Sequence, residues 1–329
     1  MCIISGPVKS VSDTQIFVGT NKDRTSQVTV YGNKVDNVSR GNAMILPVPF
    51  PSSLRLIDLS NYTDIFKDCA LDFHDPTATL SYSRGIDGFS NSKSVLPVFN
   101  VGSYSVSVAQ NLSDLKRVDA SVFIMHKECF DILSQHYRES YWGFLICQLK
   151  NGNHKYHPMA YSHAILNNTF FIPTRHYHAE TAPHMVGPIM GVNTRGGAGF
   201  GFGDIGAIGG GGESHAGGDW NHTIYVHNGL KSGYRGKYEW SKTCHVNKLP
   251  LQFPLSKARH FERIDIEGQH ENVDIWIPVQ PPHKTEKTDR KPVAAVSPRV
   301  GHLTVQEQLL IKKLFPHLSR AEYELLYGK

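Results

Sequence analysis

The feature that most constrains the fold is a series of short runs rich in β-branched residues, which fills the first third of the chain. These runs are separated by Gly, Asn, Pro and Ser, residues that favour turns. At positions 29–31 and 104–108 apolar and polar residues alternate, as they do in a strand with one face toward solvent. We therefore predict an α+β, β-rich protein with predominantly antiparallel sheets and few helices.

Helices are predicted at only two places in the body of the chain. One short helix is expected between Asn61 and Leu71. A strand–helix–strand unit is expected at 121–149, where SVFIMH and YWGFLICQL are buried strands and the segment from Lys127 to Glu139 is an amphipathic helix.

The composition of the 329-residue chain is that of a globular protein, with 40% hydrophobic and 19% charged residues. No stretch reaches the ~18 apolar residues that a membrane helix needs, and the N-terminus lacks the pattern of a secretion signal. The five cysteines are widely spaced and contain no C-x-x-C pair. We expect a cytoplasmic or otherwise intracellular protein with reduced thiols.

Composition divides the chain into three parts. Residues 1–278 form a β-rich globular body, which includes a loop at 196–218 with twelve glycines. The loop is predicted to be flanked by the strands FFIPTRHYH and HTIYVH. Residues 279–302 are Pro-rich and charged, as in a linker. Residues 303–329 contain two successive capping boxes, at 304–307 and 319–322, which predict a helical hairpin at 305–315 and 320–327.

This C-terminal hairpin is predicted to bind a protein partner or a second copy of the chain. It carries more apolar surface than so short a segment can bury by itself. The alternative is that it folds back onto a sheet edge of its own body. The residues predicted to make the contact are Leu309, Leu310, Leu314, Leu318, Tyr323, Leu326 and Tyr327.

The positive charge of the chain lies mainly in the linker and the hairpin. The net charge is +5, and residues 279–329 hold nine Lys/Arg and five acidic residues, a difference of +4. The body is therefore nearly neutral, which does not favour nucleic-acid binding. The string Gly201-x-Gly203-x-x-Gly206 does not predict a nucleotide site either, because more glycine follows it where a helix would have to begin.

His176 and His178 are candidate ligands of a divalent metal. On a strand both imidazoles would point to the same side. A zinc site needs three or four ligands, and the spacing does not choose among the further candidates. The alternative is that these histidines are surface or hydrogen-bonded core residues. The further candidates are His163, His184, His222 and His227.

Cys2 is the candidate nucleophile of an enzyme. Removal of Met1 would leave a cysteine with both a thiol and an α-amine that could act as a general base. Together with Gly19-Thr20-Asn21-Lys22-Asp23, the start of the chain resembles the N-terminal-nucleophile cysteine hydrolases of the choloylglycine hydrolase and penicillin acylase kind. The resemblance covers residues 1–23. It implies that Cys2 is the nucleophile and that Asp23 orients its amine, but Thr20 stands where that family has an arginine.

Three functions are consistent with these features. The first is a non-enzymatic binding or structural protein, such as a component of a larger assembly, with a C-terminal docking tail. The second is an amide hydrolase that uses Cys2. The third is a metal protein built on His176 and His178, the one case in which a cofactor is expected. If Cys2 is not a nucleophile, it is a small apolar residue at the start of a strand.

Overall fold

The structure is a computed structural model in which about three fifths of the chain is described. The described residues are 3–73, 95–165, 167–178, 218–229, 237–241, 244–246, 249, 253–257 and 260–280. The predicted hairpin at 303–329, nearly all of the linker and the glycine-rich loop up to residue 217 lie outside them. So do Cys2 and His184.

The described residues form fifteen strands, two α-helices and two short 3-10 helices. The α-helices are α1 (Ile65–Leu71) and α2 (Lys127–His136), and the 3-10 helices are Pro51–Ser53 and Leu112–Arg117. The strands in chain order are β1 (Ile3–Ile4), β2 (Val8–Thr20), β3 (Ser26–Asn37), β4 (Ala43–Pro49), β5 (Arg55–Ile57), β6 (Phe99–Val101), β7 (Tyr104–Ala109), β8 (Trp142–Gln148), β9 (Gly152–Lys155), β10 (Met159–Ala164), β11 (Thr169–Ile172), β12 (Gly218–His227), β13 (Lys237–Ser241), β14 (Phe261–His270) and β15 (Ile275–Pro278).

These strands make two large sheets and a two-stranded ribbon. The larger sheet has the order β13-β14-β12-β2-β3-β10-β5, with β9 also paired to β3. The smaller sheet has the order β1-β4-β8-β7-β6, and β11 pairs with β15. Every pairing of these strands is antiparallel except that of β12 with β2, which is parallel. The predicted fold class, β-rich with predominantly antiparallel sheets and few helices, is confirmed for the described residues.

Both sheets are covered on both faces, which explains why their strands are apolar along much of their length. In β2, Ile16 and Val18 contribute to the layer between the two sheets, whereas Phe17 contributes to the layer on the outer face of the larger sheet. In β8, Leu145 packs between the sheets and Phe144 packs on the outer face of the smaller sheet. Successive side chains therefore enter different cores.

Each outer face is covered by one helix and additional chain. The outer face of the larger sheet packs against α1 and against Cys244, Val246, Leu249, Phe253 and Leu255. The outer face of the smaller sheet packs against α2 and the ribbon of β11 and β15. The helix predicted within 61–71 is confirmed as α1. The helix predicted from Lys127 is confirmed as α2, which ends at His136 instead of Glu139, and the strand predicted at YWGFLICQL is confirmed as β8.

The strand predicted at 121–126 is wrong, because that segment forms a turn followed by irregular chain. The N–H groups of Val122 and Phe123 bond to the carbonyl of Asp119, and that of Ile124 bonds to the carbonyl of Gly41. The segment thus makes single bonds to separate parts of the chain, whereas a strand makes a ladder to one neighbour. Phe123 is buried, and burial of this ring accounts for the apolar pattern without a strand.

The predicted strand FFIPTRHYH is also shorter than expected. Only its first residues are in β11, which ends at Ile172 just before Pro173. Proline has no N–H to donate, so the ladder stops there. HTIYVH lies wholly within β12. Among the described residues, no helix is long and apolar enough to span a bilayer.

Gly143 in β8 provides a test of this packing. An added Cβ would lie 2.3 Å from Cβ of Pro51 and 2.6 Å from the carbonyl oxygen of Ala109, closer than real contacts allow. We expect Gly143→Ala to lower the free energy of unfolding by about 1 to 3 kcal/mol, measured by urea denaturation. Ser105→Ala, at a half-buried position of the adjacent β7, should change it by less than about 0.5 kcal/mol. Equal values for the two variants would contradict the packing.

Candidate functional site

The segment 174–178 is held by side chains, since it has left the ladder of β11 at Pro173. The Asp274 carboxylate accepts bonds from the N–H groups of Thr174 (3.1 Å) and Arg175 (3.0 Å). The Asn272 side chain accepts from the N–H of His176 (2.9 Å) and donates to its carbonyl (2.8 Å). An aspartate and an asparagine thus replace the backbone partners that a strand would have supplied.

Asp274 is itself tied to helix α2. The hydroxyl of Tyr137, the residue that ends α2, donates to the second carboxylate oxygen of Asp274. Burial raises the pKa of Asp274, while the bond from Tyr137 and the charge of Arg175 oppose that change. A buried acid of this kind is stabilised by its hydrogen bonds. The Asp274 side chain therefore connects α2, the start of β15 and segment 174–178.

Segment 174–178 runs beside the start of the chain. The N–H of Ile4 donates to the carbonyl of Tyr177 (2.8 Å), and Ile3 forms a parallel bridge with the same residue. The described start of the chain therefore runs beside the segment that carries His176 and His178.

His176 and the nearby His222 are neutral at physiological pH. Burial lowers the pKa of His176 to about 4, and the positive charges of His178 and Arg175 add to this change. His222 on β12 is 1% exposed, and burial likewise lowers its pKa, with a smaller effect of the His176 charge. A neutral imidazole can act as a base or as a metal ligand.

The structure does not bring His163 or His227 to His176. His163 lies on β10, in register with Gln27 near the start of β3, and His227 lies at the end of β12. Among the described residues, no three His, Cys, Asp or Glu side chains are grouped so that they could hold a metal ion. A metal site at His176 and His178 stays a prediction, and His222 is the third candidate nearest to it in the fold.

Asp23 lies in the turn between β2 and β3. Its neighbour Arg24 donates to the carbonyl of Gln280. The pairing of Cys2 with Asp23 stays a prediction, because Cys2 lies outside the described residues.

The four described cysteines, Cys69, Cys129, Cys147 and Cys244, are free thiols. Burial raises the pKa of Cys129 and that of Cys244 to about 12. Burial also raises the pKa of Cys69. Because the thiolate is the nucleophile, these three side chains are unreactive at neutral pH.

An exposed tryptophan marks a second surface of interest. Trp240 lies on β13, which is at the edge of the larger sheet as described, and 65% of its surface is exposed. The indole stacks on His260, with ring centroids 6.2 Å apart. Large exposed aromatic side chains are enriched at protein interfaces. Sequence reasoning missed Trp240, because nothing in the local pattern distinguishes an exposed indole from a buried one.

Comparison with known proteins gives a loose likeness to one group of structures. No protein-family model matches the chain. The crystal structure of baculovirus P35 is similar with a TM-score of 0.45 and 14% identity, covering 85% of this chain and all of that one. A mutated baculovirus P35 after caspase cleavage has a TM-score of 0.37 and 12% identity, covering 82% of this chain and all of that one. P35 in the caspase-8/P35 complex has a TM-score of 0.33 and 12% identity, covering 82% of this chain and 97% of that one. A likeness this weak assigns neither a fold nor a function.

The buried histidines predict an acid-sensitive fold. His163 is 2% exposed, its Nδ1 bonds to the carbonyl of Ala164, and burial lowers its pKa to about 4. As the pH falls below about 6.5, the unfolded chain binds a proton that the folded chain does not, so stability is lost between about pH 6.5 and pH 4. His163 alone should cost about 2 kcal/mol between pH 8 and pH 5.

His163→Asn tests this prediction, because the amide can still donate to Ala164 but does not titrate. Urea denaturation at pH 8 and pH 5 gives the loss of unfolding free energy for each protein. We expect the loss to be smaller in the variant by about 2 kcal/mol. The same loss in both proteins would show that His163 is not held neutral by the fold.

Proposed function

We propose that this is a non-enzymatic protein that binds another protein, and that residues 303–329 are part of its binding surface. The observation that carries the proposal is Trp240, a largely exposed indole on an edge strand of the described sheet. An edge strand offers backbone groups for pairing, and an aromatic side chain beside them can supply much of the binding energy. Lys237 and Glu239 on the same strand are exposed and would lie at the rim.

The chemistry of the described body supports the same proposal. Asp274 is buried and bonded to the backbone of segment 174–178 and to Tyr137. The thiols of Cys129 and Cys244 are protonated at neutral pH. These groups stabilise the fold, and their protonation states suit structural roles better than catalysis.

The position where the described body ends also fits a tethered tail. The N–H of Gln280 donates to the carbonyl of Asn228 (2.8 Å), and its own carbonyl accepts from the Arg24 guanidinium. The last described residue is therefore fixed to the body. The Pro-rich linker that follows would give the helical hairpin reach toward a partner.

A binding experiment tests the proposal on the full chain. Caspase-8, with which P35 forms a complex in one of the structures above, is one defined protein to assay first. We expect deletion of 303–329 to abolish partner binding while the melting temperature of the body stays within about 2 °C. Trp240→Ser should weaken binding at least tenfold, since central indoles often contribute 2 kcal/mol or more.

Val38→Ser is the matched control, because Val38 is an exposed apolar residue at the far end of β3 and should not affect binding. A large fall in melting temperature on deletion of 303–329 would show that the tail belongs to the core of its own body. Unchanged binding by both the deletion and Trp240→Ser would reject the proposed surface.

A second candidate function is an amide hydrolase that uses Cys2. The pairing of Ile3 with Tyr177 favours this function, because the start of the chain then runs beside the segment that carries His176 and His178. We propose that one of these imidazoles acts as the base in place of Asp23. This reading requires that Met1 is removed and that the α-amine is free, which an intact mass reports.

Iodoacetamide labelling at pH 7 distinguishes the two functions. If Cys2 is an activated nucleophile, one thiol per chain should react quickly, and Cys2→Ala should abolish this fast phase. His176→Ala should slow it if the imidazole is the base. Cys244→Ala is the control and should leave the fast phase intact. Slow labelling of all thiols at similar rates would exclude the hydrolase.

A further inference from the structure

Strand β13 carries two opposite charges on one of its faces. Lys237 and Glu239 are both exposed, and because they are two residues apart on a strand their side chains point to the same side. Across the ladder Lys237 stands opposite Asp265. Glu239 stands opposite Arg263 in the same way. Each of the two charges on β13 therefore faces an opposite charge on β14.

The charges on β14 compensate each other, whereas Lys237 extends into solvent. The Nε atom of Arg263 lies 3.0 Å from a carboxylate oxygen of Asp265. The ammonium group of Lys237 reaches the carboxylate of Glu267 at 4.0 Å, and these two side chains are 84% and 69% exposed. An ion pair this long and this exposed contributes little free energy. Lys237 can therefore accept a closer carboxylate from another strand.

We propose that two copies of this chain pair through β13, antiparallel to each other and related by a two-fold axis at Tyr238. Among the described strands, none pairs with the side of β13 that faces away from β14, so the backbone groups on that side can bond to a second strand. In this register Lys237 of each copy lies opposite Glu239 of the other. The charges then alternate in sign across four strands, in the order Asp265, Lys237, the second copy's Glu239 and its Arg263.

The two-fold axis restricts the pairing to a few registers. Directly opposed residues share a face of the sheet, so the axis must pass through a residue of β13. An axis at Glu239 would place the two Glu239 carboxylates opposite each other, and an axis at Lys237 would do the same to the two ammonium groups. Like charges in this position are destabilising. The axis at Tyr238 is the one that pairs Lys237 with Glu239.

Trp240 supplies the apolar contact of this pairing. It follows Glu239 on the strand and so points to the opposite face. The indole is 65% exposed and stacks on His260. A second strand beside β13 would cover part of this indole in each copy. Exposed ion pairs mainly fix register and specificity, so the backbone bonds and the indole supply most of the affinity.

This inference rests on the proposed function, because it names a second copy of the chain as the occupant of the Trp240 surface. Residues 303–329 of each copy would then bind a different protein. Since the paired strands are short, we expect a weak dimer with a dissociation constant of roughly 10 to 100 µM.

Charge reversal tests the register on the full chain. Sedimentation velocity from about 5 to 500 µM measures the monomer–dimer equilibrium over the range expected for a small interface. Lys237→Glu or Glu239→Lys alone places like charges opposite each other at both pairs, and each should weaken dimerisation by roughly tenfold or more. An equimolar mixture of the two variants should form a heterodimer within about threefold of the wild-type affinity, because every opposed pair is then of unlike charge.

Lys127→Glu is the matched control. It makes the same charge change at an exposed residue of α2, which packs on the smaller sheet, and should leave dimerisation unchanged. Trp240→Ser should weaken dimerisation roughly tenfold or more. The melting temperature of each variant reports whether it folds, and if only one charge variant folds, its own dimerisation still tests the register.

Three results would overturn the proposal. These are a wild-type chain that stays monomeric at about 500 µM, a folded charge variant that dimerises as well as the wild type, and a mixture of folded charge variants that recovers no affinity.

Deletion of 303–329 separates this inference from the proposed function. The deletion should leave the dimer intact. Loss of the dimer would place the contact between copies in the tail and overturn the pairing of β13, while the proposed protein-binding tail would stand. Recovery in the mixture would support the pairing of β13 even if a partner such as caspase-8 bound equally well with and without 303–329, the result that counts against the tail.

Discussion

The long hairpin of β2 and β3 is the element on which the rest of the structure depends. Its strands pair from Val8 with Asn37 to Thr20 with Gln27, interrupted by two irregularities. The turn is closed by the side chain of Asn21, which accepts from the N–H groups of Thr25 (2.9 Å) and Ser26 (3.1 Å). Because both faces of the hairpin are buried at 16–20 and 27–33, a slip of one residue would exchange the side chains of two cores there. The register is therefore strongly specified.

The hairpin also determines where the functional features lie. On one side β2 pairs in parallel with β12, which places His222 beside Thr14 and brings His227 near the level of Gly19. On the other side β3 pairs with β10 and β9. One end of this frame carries His227 at the end of β12. The segment with His176 and His178 lies toward the other end, where Asp274 and Asn272 hold it.

Much of the fold follows from local sequence patterns, and the candidate sites do not. The apolar spacing of residues 61–71 and 127–137 predicts α1 and α2 because each helix must bury one face. The prediction at 121–126 fails because one buried ring, that of Phe123, produces the same apolar pattern as a strand. The bond between Tyr137 and Asp274 joins residues 137 positions apart, and no local signal reports it. For the same reason, the pairing of Ile3 with Tyr177 could not be inferred from either segment alone.

Native-state hydrogen exchange is the most direct test of the central role of the hairpin. The amides that exchange only by global unfolding should be concentrated in the paired centres of β2 and β3, at Ile16, Phe17, Val18, Val28 and Val30, where both neighbours and both faces are protected. Their free energies of opening should equal the free energy of unfolding from urea denaturation. If these amides exchanged at lower free energies than those of β4 and β8, the smaller sheet would be the more stable unit, and the hairpin would not be the element on which the fold depends.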